Sequence, residues 1–175
     1  MPTRERSDVG FTLIELMIVV TIISILAGFS VPSLLRAKMT GNETAAIGSL
    51  SAVRTAQVSY SIACGNGAYA TKLSTLGKAP AGSTQPFISV DIGGVDAPLK
   101  SGYTYGLAAG AGGVAGPNDC NGTATKTAYY GSAIPKTFGT TGRRSFAINA
   151  ANTLWTLDAA IAPTEPFSAP ATPIH

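Results

Sequence analysis

The chain has 175 residues, 12 of them Lys or Arg and 9 Asp or Glu, for a formal charge of +3. Charged residues make up 12%, against the quarter or so usual in soluble domains, so apolar sequence must be concentrated or buried somewhere. The length suits one domain with an anchor or tail, and no basic run is long enough for a nucleic-acid patch.

Residues 1–10 form a short polar opening with Arg4, Glu5, Arg6 and Asp8. Phe11 to Val31 then makes an apolar run of 21 residues, interrupted by Thr12, Glu15, Thr21, Ser24 and Ser30. As a helix it would be about 30 Å long, the thickness of a bilayer core. A cleavable secretory signal is one explanation, with Gly28 and Ser30 as the small residues near a cut. The run is long for a signal core, however, and Pro32 follows closely. A plain membrane anchor is another explanation, but it leaves Glu15 without a purpose. A carboxylate costs about 2.5–3.5 kcal/mol at the centre of a membrane helix and less near its edge. If the chain were cut after Gly10, Phe11 would carry a new α-amino group about one helical turn from Glu15. Amine and carboxylate could then pair within a chain or between chains.

Gly10-Phe11-Thr12-Leu13-Ile14-Glu15-Leu16-Met17-Ile18-Val19-Val20 resembles the class III signal of type IV pilins and type II secretion pseudopilins. The resemblance implies that a prepilin peptidase cuts between Gly10 and Phe11 and methylates the new Phe11 amine. It also implies that Glu15 stands at the family's fifth mature position, where the glutamate pairs with the N-terminal amine of a neighbouring subunit during assembly. Positive charge does not set the orientation, because Arg4 and Arg6 precede the run while Arg36 and Lys38 follow it. A cytoplasmic leader with the remainder outside comes from the resemblance.

Pro32 removes one helical bond and crowds the carbonyl of Gly28, which predicts a kink near 28–32 or else a helix end. The segment Ser33 to Met39 continues as helix-forming sequence, and the family has a proline at this place within a long curved helix. Ser24 and Gly28 form a small-x-x-x-small pair that lets helices approach. From about Thr44 to Cys64 the pattern becomes amphipathic. Ala46, Leu50, Val53, Gln57, Tyr60 and Cys64 recur at steps of three and four and form one stripe to pack on a sheet. Ile47, Val58 and Ile62 lie on a second face with Ser51 and Arg54, which either meets neighbouring subunits or is covered within the monomer. A helix from Phe11 to Cys64 would span about 80 Å. A small domain cannot bury that length, so its first half needs lipid or further copies of the chain.

Beyond the helix, Gly65-Asn66-Gly67 supplies a terminating turn, and Lys72 to Leu76 a short helical turn. Four strand-like segments follow, at 102–107, 128–134, 145–149 and 153–157, the last two paired through a turn at Asn149–Asn152. The fold expected is α+β and pilin-like, a long N-terminal helix on a roughly four-stranded antiparallel sheet. The segments 101–105, 133–135 and 139–146 are similar in order to a group of bacterial pilins, although the turn at Asn149–Asn152 lacks the expected Gly. The Gly-rich stretch 106–122 reads as a loop, and no Gly-Lys-Ser/Thr follows it to make a phosphate cradle. The tail 162–175 holds four prolines and suits extended structure over the domain or into solvent.

Cys64 and Cys120 would be a disulfide in an exported domain and two buried thiols in a cytosolic one. Export is implied by the resemblance, and a bond would then pin the Gly-rich loop to the helix. The pair precedes the last strands, whereas many pilins enclose a C-terminal loop, so their receptor-contact loop does not carry over. Asp91, Asp96, Asn118, Asp119 and Asn121 could offer oxygen to Ca²⁺, but no EF-hand spacing is present and turn chemistry accounts for all five. No cofactor is expected. Arg143 and Arg144 could meet DNA phosphates or stand solvated at a strand start.

The single histidine is His175, so no Ser-His-Asp triad or zinc site is in view and no enzyme is expected. The expected organisation is a leader over 1–10, a transmembrane and filament-core half over 11–31, an amphipathic half over 32–64 and a globular β domain over 65–175. The expected function is that of a structural subunit, the major pilin of a type IV pilus serving adhesion, motility or DNA uptake. A type II secretion pseudopilin is the alternative, and an anchored periplasmic binding domain that never polymerises is a third. The partners implied are copies of the same subunit, the prepilin peptidase, an inner-membrane assembly platform and, before assembly, membrane lipid. The subunit would be stored in the inner membrane and then built into an extracellular pilus or a periplasmic pseudopilus. Phe11, Phe29 and Tyr60 are too sparse for a conducting aromatic stack.

Overall fold

Helix α1 covers Leu13–Ala63 and passes through Pro32, so the plain helix end at that proline does not occur. The computed structural model describes residues 10–174; most of the leader, including Arg4 and Arg6, and His175 lie outside the described residues. The chain divides into two compact units, Met1–Ala37 and Lys38–His175, and α1 contributes to both.

In the first unit every described residue is exposed, from Gly10 to Ala37. The segment is apolar enough to cross a bilayer, with a mean hydropathy of 2.4 over its best window. Three of its hydroxyls are satisfied by the helix itself. Thr21, Ser24 and Ser30 donate to the carbonyls of Met17, Val20 and Leu26 at 2.7–2.9 Å. No donor in these side chains is therefore left to be met by lipid.

In the second unit the stripe on α1 does what its spacing predicts. Ala46, Leu50, Val53, Gln57, Tyr60 and Cys64 are all buried. A buried Leu or Val of this kind contributes about 1.5–3 kcal/mol. Gln57 is admitted because both ends of its amide are used, Nε2 donating to the Ala70 carbonyl and Oε1 accepting from the Ala70 N–H. The helix closes on Gly65-Asn66-Gly67, where Asn66 and Gly67 hold φ of 51° and 86°. A Cβ on Gly65 would stand 2.8 Å from the Tyr60 ring.

Two short helices follow, α2 over Leu73–Leu76 and α3 over Val90–Gly93. The sheet has six strands rather than about four: β1 Leu99–Lys100, β2 Tyr103–Ala109, β3 Tyr129–Pro135, β4 Ser145–Asn149, β5 Leu154–Leu157 and β6 Thr172–Ile174. They run antiparallel in sequence order, each paired with the next. The middle four are those expected, and the additions sit at the two edges. Strand β1 is only two residues long and turns into β2 through Ser101 and Gly102, both at positive φ, the geometry of a tight hairpin. Strand β6 arises within the Pro-rich tail, with Pro173 on the edge, where a proline costs no ladder bond needed by a further strand. Strand β2 also continues to Ala109, so the Gly-rich connection starts at Gly110 rather than Gly106.

The helix-facing side of the sheet supplies Tyr103, Tyr105, Tyr129, Phe146 and Ile148, each 1% exposed or less, to one core with α1. The opposite side is covered by the tail. Ser145 Oγ donates to the Ala159 carbonyl at 2.6 Å, Tyr130 Oη to the Pro163 carbonyl at 2.6 Å, and Trp155 stacks on Phe167 at 5.2 Å. Strand β4 is consequently buried on both faces. Between β4 and β5, Asn152 takes the positive φ of 62° for which a Gly was expected, and the Asn149 side chain accepts the Ala151 N–H.

Candidate functional site

Gly10 and Phe11 precede α1 as exposed, non-helical backbone, with Phe11 83% exposed. Thr12 and Glu15 then start the helix as a capping pair. Glu15 Oε2 accepts from the Thr12 N–H at 3.2 Å and from Thr12 Oγ1 at 2.9 Å. Thr12 Oγ1 accepts the Glu15 N–H at 3.3 Å. With the leader attached there is no amine at Phe11, and Thr12 is what the structure brings to Glu15. The signal for this cap in the sequence is Thr-x-x-Glu at Thr12 and Glu15, which the expectation for Glu15 did not include.

Around this pair the apolar side chains from Phe11 to Leu35 stand exposed, Phe29 among them. Pro32 lies inside α1, where it can give no N–H to the carbonyl four residues back. The exposed segment thus combines one carboxylate near its start, an apolar surface and one proline near its end.

In the second unit, Cys64 and Cys120 are bonded, with Cα atoms 4.8 Å apart, and no free cysteine is present among the described residues. The Cys120 N–H also donates to the Cys64 carbonyl at 2.8 Å. Next to the bond, Tyr60 Oη donates to Asp119 Oδ2 at 2.7 Å, while Asp119 Oδ1 accepts the Asn121 and Thr123 N–H groups. Burial, and then the bond to Asp119, push the Tyr60 hydroxyl well above the usual tyrosine range. Of the candidate calcium ligands, the side chains of Asp91, Asp96, Asp119 and Asn121 have partners within the protein. Asp91 pairs with Lys100 at 2.6 Å and binds Ser89, Asp96 accepts the Ser74 N–H, and Asn121 donates to the Ala79 carbonyl. The Lys100 ammonium and the Ser89 hydroxyl together hold the Asp91 carboxyl below its ordinary range.

The arginines at the start of β4 have a partner that the sequence did not announce. Glu43, on α1, is 7% exposed. Its Oε1 accepts the N–H groups of Arg143 and Arg144 at 2.9 and 3.2 Å. Its Oε2 accepts the Arg144 guanidinium through Nε at 2.8 Å and Nη2 at 2.7 Å. Asn42 Nδ2 donates to the Thr141 carbonyl at 2.8 Å, and Tyr103 Oη to the Arg144 carbonyl at 2.7 Å. Burial raises the Glu43 carboxyl, but the Arg143 N–H and the bonds to Arg144 outweigh it and hold the group below the ordinary glutamate value. Arg144 is therefore tied to Glu43 while its side chain stays 44% exposed, and Arg143 is exposed and 3.7 Å from Asp158. On the second helical face, Val58 and Ile62 are exposed, whereas Ile47 packs against the core and Arg54 donates to the Asn152 carbonyl.

Residues 10–31 match the family model for the prokaryotic N-terminal methylation motif. No curated protein and no solved structure matches the chain. The match covers this N-terminal segment alone, and the motif implies processing by prepilin peptidase and polymerisation. With an exposed apolar helix and a capping carboxylate at its head, this chain carries the class III signal peptide of type IV pilins and pseudopilins.

Proposed function

We propose that the chain is the major structural subunit of a type IV pilus, serving adhesion, surface motility or DNA uptake. The observation that carries this reading is Glu15 at the head of an apolar helical segment with no covering from its own unit. A prepilin peptidase would hydrolyse the Gly10–Phe11 amide and methylate the released amine. The segment 11–31 would hold the subunit in the inner membrane until an assembly platform takes it up. In the filament, the Phe11 ammonium of one copy meets Glu15 of a neighbour, and each charge offsets the cost of placing the other in an apolar surround. Pro32 loosens the helix between the packed segment and the folded unit, which stays outside the core. The Cys64–Cys120 bond holds the Gly-rich connection against the end of α1 once the unit lies outside the cytoplasm. Calcium and DNA are not needed for any of these steps.

Electron microscopy of sheared surface fibres, with mass spectrometry of their subunit, tests the proposal. The expected subunit begins at N-methylated Phe11, and Glu15→Ala abolishes or sharply reduces the fibres. Fibres retained in the periplasm, together with loss of exoprotein release on deletion, would reassign the chain to a type II pseudopilus. An uncleaved chain forming no polymer, with Glu15→Ala inert, would leave only an anchored domain.

A further inference from the structure

The segment Lys136 to Arg144, which joins β3 to β4, is held unusually firmly for a surface loop. The Gly139 N–H donates to the Gly142 carbonyl, the Thr140 and Thr141 N–H groups to the Thr137 carbonyl, and the Lys136 N–H to the Gly102 carbonyl. Asn42 and Glu43 fasten its second half to α1. On this rigid frame Phe138 stands 42% exposed, although a large aromatic ring is costly to leave in water. Lys136 and Arg143 are exposed beside it in the chain, and Arg144 is occupied by Glu43. Among the described residues, Asp158 is the carboxylate paired with this exposed set, at 3.7 Å from Arg143.

The loop is fastened at a particular place along the chain. The apolar run ends at Val31 and the second unit begins at Lys38, which is also exposed. Asn42 and Glu43 come little more than a helical turn after Lys38. In sequence, Asn42 and Glu43 lie 11 and 12 residues beyond Val31, the end of the apolar run. An exposed aromatic flanked by cations, on a loop held by its own hydrogen bonds, matches the chemistry of a bilayer interface carrying anionic headgroups.

We propose that Lys136, Phe138 and Arg143 seat the folded unit on the surface of an anionic bilayer while the subunit is stored, with Phe138 entering the headgroup region. This rests on the reading of residues 11–31 as a membrane span. The aromatic supplies the insertion and the cations supply the preference for anionic lipid. Release of this contact accompanies extraction of the subunit into a filament.

The test uses the full chain in vesicles of phosphatidylcholine, with or without phosphatidylglycerol, containing acyl-brominated lipid. Phe138→Trp in a Trp155→Phe background reports the loop, and Phe29→Trp in the same background reports the span. Both positions are expected to be quenched in the mixed vesicles, and position 138 much less in phosphatidylcholine alone. Replacing Lys136 and Arg143 by Gln should weaken docking by roughly fivefold for each cation lost. Quenching at position 29 without quenching at 138 overturns the proposal and leaves the anchor standing. Absence of quenching at 29 overturns both. Shielding of position 138 by an added single-stranded oligonucleotide, and not by lipid, also overturns it and assigns the loop to nucleic acid. In the unmodified chain, amide exchange over 137–141 should slow in the mixed vesicles, and equal exchange in the two lipids overturns the proposal independently of the substitutions.

Discussion

Glu43→Ala removes the acceptor for four N–H groups at once, two from backbone and two from the Arg144 guanidinium. Bonds to a charged group each contribute about 1.5–3 kcal/mol net, but bonds sharing one carboxylate do not add. Breaking a fully buried ion pair costs about 3–5 kcal/mol. Here the Arg144 side chain keeps 44% of its exposure and can rehydrate, so about 2–4 kcal/mol is expected. For a unit of this size that corresponds to a fall of roughly 6–12 °C in Tm. Thermal melts of the full chain in detergent, followed by tyrosine near-ultraviolet dichroism, give the number, and amide exchange at Arg143 and Arg144 locates the loosening. The carboxyl is depressed in the folded state, so its contribution is complete above the unfolded value of about pH 4.3 and is lost as pH falls through the folded value. The gap between wild type and Glu43→Gln should therefore be widest near neutrality and close on acidification. A melt of Glu43→Ala within about 2 °C of wild type, or a gap that widens in acid, would refute the clamp.

Cys64→Ser should lower stability by about 4 kcal/mol from loop-closure entropy across the 56-residue separation, measured by denaturant titration under oxidising conditions. Gly142→Ala places a Cβ 2.7 Å from the Tyr103 ring carbon bearing the hydroxyl, on a loop that cannot retreat, and should cost about 1–3 kcal/mol in the same titration. Val58→Asp changes an exposed side chain, so the fold should keep its stability within about 0.5 kcal/mol while fibre yield drops. Unchanged yield would place Val58 outside any contact between subunits.

What could be seen in the sequence depended on how far apart the cooperating residues lie. The buried stripe from Ala46 to Cys64 was legible because helical spacing repeats it five times along one segment. Glu15 stood out because its neighbours are apolar, and β2 to β5 because their aromatic and aliphatic residues alternate. Glu43 was invisible for the opposite reason: its partners come a hundred residues later, and a lone glutamate on a helix looks like any solvated one. Strand β1 is too short to show a period, and β6 carries a proline that argues against a strand unless the edge position is known. The exposure of Phe138 likewise depends on the pinned turn around it, which no local pattern specifies.

The sequential order of the sheet has a consequence for how the unit forms as its chain emerges. Each strand from β1 to β6 pairs with the one made just before it, so none has to be inserted between two strands already joined. The sheet can therefore grow vectorially, one edge at a time, on the half-helix that precedes it. Contacts local in the chain are the ones that form fastest, which shortens the time an apolar edge stays open to the same edge on a neighbouring chain. Strand β6 then blunts the growing edge, because Pro173 gives an arriving strand one donor fewer to pair with. Association through the first helix, as proposed above, would then meet less competition from strand pairing at the β6 edge.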